Sequence, residues 1–137
     1  MSYAGDVTPE QAWTVLRDEP GAVLVDVRTR AEWAYVGVPD LAQIGKEVVL
    51  VEWQTFPEGS VNERFTEDLE AAGVAKDAPV YFICRSGVRS VSAAQAATRD
   101  GWASAHNVSE GFEGPHDAQG HRAVSGWKVA GLPWVQG

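Results

Sequence analysis

The 137-residue chain has one cysteine, Cys84, and the residues after it are of the kind that make a thiol reactive: Cys84-Arg85-Ser86-Gly87-Val88-Arg89-Ser90. A free thiol is only a few per cent ionised at neutral pH, and the thiolate is the nucleophile. Arg85 and Arg89 bring two positive charges close to the sulfur. Ser86 and Gly87 can curl so that successive N–H groups point inward and cradle an anion. A helix opening just beyond the loop would add the partial positive charge of its N-terminus. Desolvation behind an apolar strand opposes these effects, and the positive terms are expected to prevail. Most free cysteines are inert core residues. The polar company of this one sets it apart.

Val80 to Ile83 is apolar without alternation, the pattern of a strand covered on both faces. From Val88 to Thr98, residues recur at helical spacing: Val88, Val91, Gln95 beside Ala94, and Thr98. Cys84 is therefore expected where a parallel strand hands over to a helix, the edge at which open α/β sheets bind ligands. Upstream, Thr8-Pro9-Glu10-Gln11 is a helix start with a capping box. Ala12, Val15 and Leu16 form its apolar face, Trp13 lies at the margin, and Glu19-Pro20-Gly21 stops it. Ala22 to Arg28 reads as a second buried strand whose Asp26 and Arg28 can pair to tie down a loop. Val48 to Trp53 is a further strand. A helix over 62–73 uses Asn62 as cap, buries Phe65, Leu69 and Ala72, and ends on Gly73. Trp53 and Phe56 are candidate pocket walls, although aromatics more often belong to a core.

The helix after Cys84 should stop near Asp100-Gly101, with a weaker strand within Trp102 to Val108. A glycine-punctuated turn over 109–115 follows, then a polar stretch over 117–122. A short helix capped by Ser125 is expected next, with Trp127 and Val129 apolar, stopping at Gly131-Leu132-Pro133. Strands alternating with helices imply an α/β domain with a mostly parallel sheet.

Cys84-Arg85-Ser86-Gly87-Val88-Arg89-Ser90 after an apolar strand resembles the active loop of the rhodanese family of sulfurtransferases. Leu24-Val25-Asp26-Val27-Arg28 followed by Glu32-Trp33 resembles that family's first signature. Asn107 to Gly114 resembles its loop after the last strand, where glycines let backbone approach the active site. Trp127 with Gly131-Leu132-Pro133 resembles its closing segment. The likeness runs from about Thr8 to Pro133 and implies one three-layer domain over 1–137, a mostly parallel sheet flanked by helices. It departs at Val36-Gly37-Val38-Pro39-Asp40-Leu41-Ala42, which keeps a proline but lacks the family's histidine.

The resemblance implies that Cys84 takes a sulfane sulfur from a donor such as thiosulfate, holds it as a persulfide, and passes it to cyanide or a thiol. Loop N–H groups from Arg85 through Ser86, Gly87 and Val88 to Arg89 would stabilise the anion. Arg85 and Arg89 would orient the donor, and Ser86 and Ser90 would donate hydrogen bonds. Asp26 and Arg28 would brace the loop from behind. No cofactor is implied, because the cysteine is the carrier. The alternative within the same fold is a persulfide carrier or regulatory module that serves a protein acceptor with little small-molecule turnover. A phosphatase-type loop has five residues between Cys and Arg; here four separate Cys84 from Arg89. The shorter loop encloses a smaller cavity, which favours one sulfur atom over a tetrahedral phosphate.

Composition narrows the partners. The net charge of −8 argues against nucleic acid or an anionic membrane surface. The N-terminal residues lack a basic and apolar leader pattern, and no apolar run reaches membrane-spanning length. One cysteine excludes an internal disulfide, so a reducing, cytoplasmic setting is expected. His106, His116 and His121 match no zinc spacing, so no metal is expected. Nucleotide-binding and serine-hydrolase motifs are missing. Six tryptophans leave room for an apolar contact surface, without fixing an oligomeric state.

Overall fold

The structure is a computed structural model that describes residues 3–54, 60–85, 87–114 and 126–136. The elements are β1 (Gly5–Val7), α1 (Pro9–Asp18), β2 (Val23–Asp26), α2 (Arg30–Val36), β3 (Val38–Pro39), a 3₁₀ turn (Ala42–Ile44), β4 (Val49–Leu50), α3 (Phe65–Ala71), β5 (Val80–Ile83), α4 (Val88–Arg99), β6 (Ala105–Val108) and β7 (Trp134–Val135). Five strands form one sheet in the order β1-β6-β5-β2-β4. Every neighbouring pair in it is parallel. β3 and β7 form a separate antiparallel pair.

β5 is the middle strand, and all four of its residues are buried. Its side chains alternate between two cores. Val80, Phe82 and then Cys84 face Phe65 and Leu69 of α3 and the alanines of α4. Tyr81 and Ile83 face Ala12 and Leu16 of α1. A strand without a polar face is what such two-sided cover requires. The domain is thus an α/β three-layer unit with helices on both faces of a parallel sheet.

Local chemistry explains the helix starts. In α1, Thr8 accepts from the Gln11 amide while the Gln11 side chain accepts from the Thr8 amide. The same reciprocal cap, Thr29 with Glu32, opens α2. Asn62 does not cap α3, which begins three residues later. Its Oδ1 accepts from the Arg64 amide and its Nδ2 bonds Glu52 O and Asp68. Asn62 thus ties the preceding loop rather than the helix end. The buried face of α4 is Ser90, Ala93, Ala94, Ala96 and Ala97, not the Val88–Val91 line of the sequence reading. Val88 is 74% exposed, because the close approach of α4 to β5 and β6 admits only small side chains.

Several strands are shorter than their apolar runs, notably β4, where Val48 to Trp53 yields two paired residues. Trp53 packs edge-on against Phe65, their ring centroids 5.2 Å apart. Phe56, Ser125, His116, His121 and the polar stretch over 117–122 lie outside the described residues. From Gly126 onward the chain turns and then pairs as β7, with no helix among the described residues. Trp102 and Trp127 are fully buried, so the tryptophans mainly build core. No helix among the described residues is long and apolar enough to cross a membrane. No group of three or more His, Cys, Asp or Glu there could hold a metal ion.

Candidate active site

Cys84 follows β5 directly and is 1% exposed. Its Sγ lies 3.1 Å from the Gly87 amide, which donates to it, and 3.2 Å from Ser90 Oγ. Gly87 makes this possible. Its φ of +100° is the left-handed region, and a Cβ on it would sit 2.0 Å from the Ser109 carbonyl oxygen. Only glycine can turn the chain there. The turn points an N–H at the sulfur and starts α4 immediately behind it. Ser86 is outside the described residues. Val88 turns its side chain to solvent, so it can serve the site through backbone alone.

The loop after β6 closes the site from the other side. Phe112 N donates to Cys84 O at 2.8 Å, and the Glu113 and Gly114 amides reach Arg85 O at 2.9 and 3.1 Å. Gly111 makes this close approach at φ +67°: its Cβ would lie 2.6 Å from Arg85 O and 2.7 Å from Cys84 O.

Both loop arginines are already engaged. Arg89 meets Glu32 of α2 in a bidentate pair, with bonds of 2.7 and 2.9 Å. Arg85 Nε donates to Glu113 at 2.9 Å. The sequence reading counted two positive charges at the loop; the structure sets a carboxylate against each. Glu32 and Glu113 lie in stretches named from the sequence, but their pairing with these arginines was not expected. For Glu32 the signal was present, since Thr29-x-x-Glu32 is a capping box. Burial opposes ionisation of Glu32, but the Arg89 guanidinium outweighs it and holds the carboxyl below the usual range. The same contact raises Arg89, its hydrogen bond to Glu32 acting against burial.

A glutamate depressed in the folded state stabilises it at pH above the unfolded value of about 4.5, and that stability is lost as pH falls through the folded value. Glu32→Gln is therefore expected to lower Tm at pH 7 and to show a smaller loss of Tm than wild type between pH 5 and 3. Thermal melts across that range test it; equal acid sensitivity of the two proteins would refute it.

Asp26 and Arg28 sit behind the site and are wholly buried. Arg28 donates from Nε and Nη2 to Asp26 at 2.9 and 2.7 Å. Nη2 also reaches Gly37 O at 2.6 Å. The guanidinium lies over the Phe112 ring, 4.2 Å from its centroid. It thus touches the segment whose amide holds the Cys84 carbonyl. The stretch that departs from the resembled pattern, 36–42, supplies that Gly37 carbonyl and strand β3.

Asn107 and Asp6 are the residues the sequence reading missed as individuals. Asn107 is 2% exposed and its side chain contacts Ser90 Oγ. A buried asparagine within a strand of four residues was the available sign.

A lone thiol thus stands at the C-terminal end of the middle strand of a parallel α/β sheet, backed by a helix start. A family model described as the STR4 middle domain matches residues 4–137, and the chain belongs to this rhodanese-like family. It is similar to the crystal structure of Rv0390 from M. tuberculosis, with 55% identity and a TM-score of 0.92 over 99% of this chain and 100% of that one. An uncharacterized protein of Rickettsia conorii is 36% identical over 94% of this chain and 95% of its own length. The thiosulfate sulfurtransferase GlpE of Actinobacillus pleuropneumoniae is 27% identical over 93% of this chain and 90% of its own.

Proposed function

We propose that the protein is a sulfurtransferase that moves a sulfane sulfur through a persulfide on Cys84. The carrying observation is the Gly87 N–H aimed at a buried Sγ at the head of α4. In the first half-reaction the Cys84 thiolate attacks the outer sulfur of thiosulfate. A sulfur–sulfur bond forms, the donor's own sulfur–sulfur bond breaks, and sulfite leaves with its electron pair. In the second, cyanide or a thiolate attacks the outer sulfur, and Cys84 leaves as thiolate. The Gly87 N–H, fixed by its turn, favours the anionic sulfur at both stages because it needs no reorganisation. The similarity to a thiosulfate sulfurtransferase supports this reading.

The test is intact-protein mass after thiosulfate and then after cyanide. The expected result is a gain of one sulfur atom, reversed by cyanide with release of thiocyanate. No gain with thiosulfate, 3-mercaptopyruvate or a thiol persulfide would overturn the reading.

One observation favours delivery to a protein acceptor as the second reading. With Arg85 and Arg89 paired to Glu113 and Glu32, the site lacks two free cations for a small dianion. A persulfide exchanged with a protein thiol needs less local positive charge. Faster sulfur release to protein thiols than to cyanide at equal concentration would select it.

A further inference from the structure

A line of side chains runs from the edge of the sheet to the sulfur. Asp6 on β1 and Asn107 on β6 are directly opposed in the strand register. Asn107 Nδ2 donates to Asp6 Oδ1 at 3.0 Å. The Tyr3 hydroxyl donates to the same oxygen at 2.8 Å. Asn107 Oδ1 meets Ser90 Oγ, and Ser90 Oγ lies 3.2 Å from Cys84 Sγ. Ser90, Asn107 and Cys84 are buried, whereas Asp6 is exposed.

The donors and acceptors along this line leave little freedom. A carboxylate only accepts, so Asp6 fixes the Asn107 amide with its NH₂ outward and its carbonyl toward Ser90. That carbonyl only accepts, so the single Ser90 proton is drawn to it. Ser90 then presents lone pairs to the sulfur, an arrangement that suits S–H and disfavours S⁻. Hydrogen bonding to the neutral form holds a group neutral.

We propose that Asp6 is a positioning residue for Cys84: through Asn107 it holds the Ser90 proton away from the resting thiol. The proposal rests on Cys84 as the reacting atom. When Cys84 ionises, its proton passes to water. Ser90 keeps its own proton and turns it from Asn107 Oδ1 to the sulfur. The turn leaves the buried Asn107 carbonyl without that donor, so the network sets a cost on the thiolate. The Cys84 thiolate that leaves in the second half-reaction would meet the same turn.

The test is the rate of Cys84 alkylation by iodoacetamide against pH, followed by intact mass. It needs no sulfur donor, so its failure leaves the persulfide reading standing. Four proteins are compared: wild type, Asp6→Asn, Ser90→Ala and the double variant. The neighbouring charges — the pairs Arg85–Glu113, Arg89–Glu32 and Asp26–Arg28 — are the same in all four. An asparagine at position 6 can donate, so the Asn107 amide can reverse and release the Ser90 proton to the sulfur. Alkylation should then be about five-fold faster near neutral pH, the size of one hydrogen bond made to the sulfur, with the profile moved to lower pH. In the Ser90→Ala background the Asp6→Asn effect should shrink to the small through-space effect of removing one charge. Removing a negative charge also favours a thiolate through space, but that effect does not need Ser90. An Asp6→Asn shift that persists undiminished with Ser90→Ala, or no shift at all, would overturn the proposal. Asp6 is exposed and Ser90→Ala deletes one oxygen, so both variants should fold. Matching melts of the single and double variants confirm that the comparison is between folded proteins.

Discussion

Cys84→Ser is expected to lose sulfur loading and turnover completely while remaining folded. The hydroxyl is too weakly acidic to ionise beside two neutralised arginines, and oxygen cannot carry the sulfane sulfur as a persulfide does. The replacement is nearly isosteric. The Gly87 amide and Ser90 can still bond an oxygen at that place, so stability should change by only about 1–2 kcal/mol. Intact mass with thiosulfate, a thiocyanate assay and a thermal melt measured on one preparation separate the two effects. Full activity in this variant would remove Cys84 from the mechanism, and with it the proposed reaction.

Arg28→Ala should produce the largest loss of stability. It strands the Asp26 carboxylate in a core position that is inaccessible to water. Breaking a buried pair from one side costs about 3–5 kcal/mol, a large share of the roughly 5–15 kcal/mol that holds a domain together. For a chain of this length that corresponds to a Tm lower by roughly 10–20 °C. The pair itself is not strongly stabilising, because desolvation offsets most of its attraction. Arg28 Nη1 also finds no hydrogen-bond partner among the described residues. The double variant Asp26→Leu/Arg28→Met should therefore recover most of the lost Tm. Recovery of fold without recovery of sulfur transfer would assign the pair to holding Phe112 and the Cys84 carbonyl. A single variant that melts with wild type would refute the account.

The sequence reading located what has strong local cause. Thr8-Pro9 with Gln11 starts α1 because the whole cap lies within four consecutive residues. β5 was legible because a strand buried on both faces cannot alternate. The position of Cys84 between strand and helix followed from those two patterns. α2 was missed although Thr29 and Glu32 spell its cap, since its seven residues hold no fully buried side chain to give a period. β1, β3 and β7 have two or three residues each. They exist only through pairing with distant strands, which no window of sequence contains. The same holds for the charges of the site. Arg89 and Glu32 are 57 residues apart, and Arg85 and Glu113 are 28 apart. The residue types at the loop were readable, but their net electrostatics depended on tertiary neighbours.

The order of the strands has a consequence for biosynthesis. β5 is flanked by an early strand, β2, and a late one, β6, and β1 can join only β6. Asp6 and Asn107 are 101 residues apart. At a translation rate of roughly 5–20 residues per second, β1 waits on the order of 5–20 seconds for its partner to be made. β5 and Cys84 are themselves made late, so for the last roughly 1–5 seconds of that interval the β6 side of β5 is uncovered, and the thiol lacks Asn107 and the loop that carries Phe112. The nascent chain is therefore most open to oxidants and to chaperone contact in its last stage of synthesis. That exposure ends when β6 docks on β5, and the earliest strand then closes the edge of the latest.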